Sequence, residues 1–273
     1  MPLREQHVTI DGRVLRYLDT GAGAPFLLVH AFPLSADLWE PQLLAPPSGW
    51  RLIAPDLRGF RGPDAGRPVE PLGDVTVDDY ARDLLGLLDH LEIADAVVGG
   101  LSMGGYVTFA LLRQAPRRVR GLVLADTRPQ ADSDEGRAKR RDMLALIARD
   151  GVEGVAEAML PGLVGATTLR DRPEVVARVE RLILANHADA VRAAVSAMMT
   201  RPDSTPLLAA IDRPTLVMAG QEDAIIPLDV AEALHGAIPG SRLTVLPGAG
   251  HLPNLEHPEA FNAALARFLE ERL

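Results

Sequence analysis

AVVGGLSMGGYVTFALL, residues 96–112, is the longest stretch of the chain that holds neither a charged residue nor a histidine. It reads as an apolar run, then Gly100-Leu101-Ser102-Met103-Gly104-Gly105, then a helical pattern that stops before Pro116. Two Gly-Gly pairs and a central serine make it a poor membrane helix, and a strand–turn–helix junction accounts for it better. A serine on so sharp a turn is forced into a strained conformation with its Oγ exposed. Only glycines on either side let the two backbone arms pass closely enough. A phosphate-binding loop does not fit, because no Gly-Lys-Ser/Thr follows and the one lysine, Lys139, lies elsewhere. Ser102 is therefore a candidate nucleophile.

Working outward, the same rhythm recurs. Short apolar runs at 25–32, 51–56, 119–126, 214–223 and 241–248 are each bounded by Gly, Pro or Asp. Runs that are apolar throughout suit strands buried on both faces, as in a parallel sheet. Two alternating segments, HVTID and VLRYLDTG, are joined by Asp11-Gly12, a hairpin turn signal. Helical patterns lie between the runs: one opens at Thr76 with Asp79 three residues on, and the last starts at Pro258 and carries Phe261, Leu265, Phe268 and Leu269. Strand, helix, strand in repetition predicts an α/β fold, a mostly parallel, roughly eight-stranded sheet with helices on both faces.

Residues 129–208 break the rhythm with four successive amphipathic patterns and no strand. They carry Met143/Leu144/Ile147, Val152/Val155/Met159, Val175/Val179/Leu182 and Val191/Val195/Met198. The expected organisation is a core of residues 1–128 and 209–273 with a helical cap, 129–208, inserted in it.

A serine is a weak nucleophile until a base held by an acid activates it. His251, in Gly-Ala-Gly-His-Leu-Pro, follows the last strand in a loop too rich in glycine to be helical. Asp223, in Gly-Gln-Glu-Asp, follows the preceding strand, so both fall on the carboxyl edge that carries Ser102. Asp126 also ends a strand and remains a rival acid, although the Gln-Glu-Asp turn favours Asp223. His30 reads as a structural histidine and His257 as a helix cap. Acyl transfer further needs two backbone N–H groups aimed at the developing oxyanion. Met103, after the nucleophile, is one candidate. Phe32, in His30-Ala31-Phe32-Pro33, is the other, because Pro33 has no N–H. Trp39 is a candidate for the pocket wall or for packing. Met143, Met159, Met198 and Met199 are an adaptable acyl pocket or simply cap core.

Composition narrows the function classes. With 273 residues the chain is long enough to bury about 70–75% of its surface. Hydrophobic residues at 47% and charged ones at 24% exclude global disorder. A net charge of −9 argues against nucleic acid and against anionic membrane surfaces as partners. The absence of cysteine excludes disulfides, thiolate nucleophiles and thiolate metal sites. The first residues, MPLREQHVTIDGRV, carry charges where a signal peptide needs an apolar run, so a cytoplasmic protein is expected.

The set HAFPLSADLW, APDLRGF, GGLSMGGY, MAGQED and GAGHLPNLEHP resembles the α/β-hydrolase superfamily over nearly the whole chain. Within it the likeness is to the small esterase, oxoadipate enol-lactonase and cofactor-free perhydrolase group. The resemblance implies a serine hydrolase of small carboxylic esters or lactones that needs no metal or organic cofactor. Ser102 would attack, His251 would carry the proton and Asp223 would orient the imidazole. Two alternatives stay open on the same fold: peroxide in place of water as acyl acceptor, or carbon–carbon bond hydrolysis. A non-catalytic binding scaffold is a more distant third. The chain departs from the pattern at Ala31, where His-Gly is usual, and at Phe60-Arg61-Gly62-Pro63-Asp64, where Gly-x-Gly-x-Ser is usual. Ser102 itself speaks against the branches that use an aspartate nucleophile.

Overall fold

Asp11 and Gly12, both at positive φ (48° and 80°), close the turn between β1 (Arg4–Ile10) and β2 (Arg13–Asp19) in the computed structural model. That model describes residues 4–61 and 72–273. The departure at Gly62-Pro63-Asp64 lies outside the described residues.

β3 (Ala24–Val29), β4 (Trp50–Pro55), β5 (Ala96–Leu101), β6 (Val119–Ala125), β7 (Thr215–Gly220) and β8 (Arg242–Leu246) complete one eight-stranded sheet in the order β1-β2-β4-β3-β5-β6-β7-β8. Pairing is antiparallel for β1 with β2 and for β2 with β4, and parallel from β4 to β8. All six residues of β5 and of β7 are buried, as expected of central strands covered on both faces. β8 differs: it is an edge strand, and only Leu246 is fully buried. β1, at the other edge, is mostly exposed and carries Arg4, Glu5, Gln6 and His7, which discourages pairing with another chain.

Five helices support the core: α1 (Glu40–Leu44), α2 (Val77–His90), α3 (Met103–Gln114) and, after β7, α8 (Leu228–Ala237) and α10 (Pro258–Arg272), with the one-turn α9 (Pro253–Glu256) before α10. α2 starts at the expected place because Thr76 and Asp79 form a reciprocal capping box. α10 buries Phe261, Leu265, Phe268 and Leu269, each worth about 1.5–3 kcal/mol when removed from water.

Between β6 and β7 stand α4 (Asp134–Leu163), α5 (Ala166–Asp171), α6 (Pro173–Leu184) and α7 (Ala188–Met199). The first two amphipathic patterns belong to one helix bent at Gly151, which has φ 66° and ψ −153°. The short α5 has no counterpart in the sequence pattern. Among the described residues no helix is long and apolar enough to cross a membrane.

Candidate active site

Ser102 ends β5 and caps α3 with φ 53° and ψ −113°, a conformation that L-residues rarely adopt. The neighbourhood over-determines it. Ser102 N donates to Ala125 O at 2.9 Å, and its carbonyl accepts from Gly105 N at 2.9 Å and from Thr127 Oγ1 at 2.8 Å. A Cβ on Gly100 would overlap the carbonyl of Gly104, and one on Gly104 would overlap Val29 O. Glycine is thus required at both positions, and the same close approach brings the turn into backbone contact with the loop after β3.

That loop carries His30 and Phe32. His30 is fully buried, its Nδ1–H donates to Ala31 O at 3.0 Å, and its Nε2 accepts from Leu57 N at 2.9 Å. Burial pushes its pKa down to about 4, so the ring is neutral and holds its own loop. Asp56 fixes the far end by accepting from Ala36 N at 2.6 Å and from Arg16 at 2.9 Å. Its pKa rises to about 6, because burial outweighs the charge of Arg16. Neither Phe32 N nor Met103 N donates a hydrogen bond to another described residue.

Asp223 and His251 meet after β7 and β8. Asp223 Oδ1 accepts from Ile225 N at 2.8 Å and from Ile226 N at 3.0 Å, and Oδ2 lies 2.7 Å from His251 Nδ1. A carboxylate there places the ring proton on Nδ1 and leaves Nε2 unprotonated, the state a general base requires. Among the described residues Nε2 makes no hydrogen bond, to Ser102 Oγ included. Contacts of that kind are commonly long before substrate arrives and tighten around it.

Asp126 makes no hydrogen bond to His251 among the described residues. It sits at the end of β6 with φ 43°, fully buried, and its Oδ1 accepts from Gly220 N at 2.8 Å while Oδ2 has no donor. Burial first, and then the facing carboxylate of Asp223, push its pKa well above the usual carboxylate range. A neutral Asp126 can direct its O–H at Asp223.

The pocket candidates divide. Trp39 is 1% exposed and packs on Phe261, within the core. Met198 is buried in the same continuous core, and Met143 and Met159 pack against it half-buried. Met199 is half-buried at the end of α7. His257 holds the N-cap position of α10, yet its side chain makes no cap bond. A cavity of about 560 Å³ lies between β1–β2 and α6, lined in part by Asp37, Arg61 and Arg178, and Ser102 is not among the residues that line it. No group of described residues could hold a metal ion.

Sequence reasoning missed three supporting residues. Thr127 braces the serine turn. Asn186, between α6 and α7, donates Nδ2–H to Pro33 O at 2.9 Å and accepts from Arg61 N at 3.1 Å, fastening the Phe32 loop to the segment that joins those helices. Glu256, buried beside the His251 loop, is the third. Thr127, directly after Asp126 at a strand end, is open to suspicion, whereas Asn186 shows locally only its bonds to the end of α6, and the partner that matters lies 153 positions away.

The sequence profile of the alpha/beta hydrolase fold matches residues 24–258. The chain belongs to the alpha/beta hydrolase fold family. Among similar members, a non-heme haloperoxidase of Rhodococcus erythropolis is 32% identical, with 95% of this chain and 97% of that protein covered. A 3-oxoadipate enol-lactonase of Acinetobacter baylyi is 27% identical over 94% of each. A thermophilic esterase from Thermogutta terrifontis, solved with malate bound, superposes at a TM-score of 0.91 with 42% identity over 98% of each chain. Esterase, lactonase and haloperoxidase neighbours agree with the resemblance read from the motifs, and this hydrolase fold implies a small-molecule substrate.

Proposed function

We propose that this alpha/beta hydrolase is a serine hydrolase of small carboxylic esters or lactones. The observation that carries the reading is the 2.7 Å bond between Asp223 and His251 Nδ1, on the sheet edge where Ser102 is held strained. Ser102 Oγ attacks the carbonyl carbon and passes its proton to His251 Nε2, with Asp223 stabilising the imidazolium. The amides of Phe32 and Met103 take the oxyanion. His251 returns the proton to the leaving alkoxide, and water then repeats the sequence on the acyl-enzyme. Residues 129–208 act as the cap over a core of 1–128 and 209–273 and limit the acyl group that fits. The esterase and enol-lactonase neighbours support this substrate class. A second reading, peroxide replacing water as acyl acceptor, is favoured by the haloperoxidase relative.

The test is labelling with a fluorophosphonate, followed by turnover on a panel of esters and lactones and an assay of peracid formation. Wild type should be labelled at Ser102, and Ser102→Ala should lose both label and ester hydrolysis, the latter on the order of 10⁴-fold or more. Hydrolysis persisting in purified Ser102→Ala would remove the nucleophile from the proposal.

A further inference from the structure

Glu256 is wholly buried, and nothing in the proposed reaction uses it. Both of its oxygens are engaged, and they face different parts of the molecule. Oε1 accepts from Gly250 N at 2.9 Å and from Leu252 N at 3.1 Å, the two residues that flank His251. Oε2 accepts from Gly165 N at 2.7 Å and from Thr168 Oγ1 at 2.6 Å, at the start of α5. All four partners are donors, which suits a carboxylate and no other side chain of this length.

The Leu252 bond taken alone is ordinary local capping, since Glu256 ends the one-turn helix α9 that Leu252 opens. The other three go further. Gly250 lies before His251 in the loop, and Gly165 and Thr168 lie 91 and 88 residues away in the chain. The contact is too close for side chains: a Cβ on Gly250 would overlap the backbone of Val164 and Gly165. The same stretch meets the acid as well, because Glu222, next to Asp223, accepts from Thr167 N at 2.8 Å and from Thr167 Oγ1 at 2.7 Å. Arg172, after α5, donates to the Glu256 carbonyl.

We infer that Glu256 is a positioning residue for His251, one carboxylate whose Oε1 fixes the histidine loop and whose Oε2 ties that loop to the cap at Gly165 and Thr168. This rests on His251 being the base. The cap then has a fixed end, at α5, where it joins the acid and histidine loops. Removing the Oε2 contacts should loosen the imidazole even though, among the described residues, the ring's hydrogen bond is to Asp223 and not to the cap.

Glu256→Gln tests this directly. Whichever way the amide turns, its NH₂ meets one pair of donors. The expected result is a kcat lower by about 10- to 100-fold, the scale of a small misplacement of a reacting group. KM should move by less than about threefold. The far-downfield proton NMR signal of the His251 Nδ1–H···Asp223 bond should broaden or vanish. Thr168→Val should lower kcat a few-fold, and should have no further effect in the Glu256→Gln background. Leu265→Ala, in the core of α10, serves as a destabilised control that keeps wild-type kcat below its melting temperature.

Wild-type kcat and an unchanged downfield signal in folded Glu256→Gln would overturn the inference. Should that variant fail to fold, Thr168→Val decides alone: a kcat equal to wild type overturns the tie to the cap. Additive effects of the two substitutions overturn it as well. Failure of the functional reading looks different, since His251→Ala would then retain turnover whatever Glu256 does.

Discussion

At the sheet edge the site residues stand where the backbone permits little else, whereas the helices between 134 and 199 join the rest through shared apolar core and a set of polar side-chain contacts. Ser102 keeps φ 53° because Gly100 and Gly104 leave no room for a Cβ. In the cap the equivalent work is done by side chains: Asn186 on Pro33, Glu256 on Gly165, and Arg201, which pairs with Asp132 at 2.8 Å and lies 4.1 Å from the centre of the Tyr106 ring on α3. Geometry of the first kind fails all at once when it is disturbed. The second kind should fail by degrees.

Two glycines make the sharpest contrast. Gly104→Ala places a methyl inside the Val29 carbonyl, so turnover should be lost entirely and the melting temperature should fall by several degrees. Gly162, near the end of α4, would place its methyl at ordinary contact distance, 3.9 Å from Ile225. Gly162→Ala should retain activity and gain about 0.5–1 kcal/mol from helix propensity. Thermal denaturation beside an ester assay checks both, and equal effects at the two sites would erase the distinction between edge and cap.

Next in size is the choice of acid. Asp223→Asn should lower turnover by roughly 10²–10⁴, through loss of imidazole orientation. Asp126→Asn should change it far less, because an amide can still accept from Gly220 N and donate to Asp223. The raised pKa of Asp126 gives this variant a second readout. A carboxyl held protonated in the fold supports stability only at low pH. From about pH 4 upward the unfolded chain ionises and the folded one does not, so stability is lost until the folded group also ionises. Asp126→Asn should therefore gain stability over wild type as pH rises through that range. Identical pH–stability curves, or a larger catalytic loss at Asp126, would reverse the assignment.

These cases also show how far the residues reveal their roles in order along the chain. The serine turn and the histidine loop are legible because each must be glycine-rich where it stands, and the parallel strands because they are apolar throughout. Asp126 and Asp223 look alike in sequence, both acids at strand ends. They separate only in space, where Asp126 turns inward to Gly220 N and Asp223 stands three residues beyond β7, within reach of His251. Trp39 reads equally as wall or core, and its packing on Phe261 is visible only in space. Asn186 and Glu256 show in sequence only as residues at helix ends, since the partners that tie them to the site, Pro33 and Gly165, lie 153 and 91 residues away.

The cap fastening at Asn186 should therefore matter less than the edge, yet measurably. Asn186→Ala leaves Pro33 O and Arg61 N without a partner, a cost of about 1–3 kcal/mol in stability. The Phe32 amide is one residue from Pro33. Loss of an oxyanion donor costs about 10²–10³, and a displaced one should cost a fraction of that, about tenfold in kcat. An unchanged kcat would place the Phe32 loop under the sole control of His30 and Asp56.

The smallest expected effect is on substrate length, and it reads the cap itself. Each methylene added to an acyl chain gains about 0.8 kcal/mol, close to fourfold, only while it finds a buried place. On the proposal that residues 129–208 cap the site, the fastenings at Asn186 and at Glu256 should keep the space beneath finite. Across p-nitrophenyl esters from acetate to palmitate, kcat/KM should rise over the first few carbons and then fall. Asn186→Ala, with one fastening removed, should shift the maximum to a longer chain while Asp126→Asn leaves it in place. A monotonic rise to palmitate, or activation at a lipid–water interface, would mean that the helices between 134 and 199 open as a unit. In that event the polar fastenings, however well made, do not set the size of the acyl site.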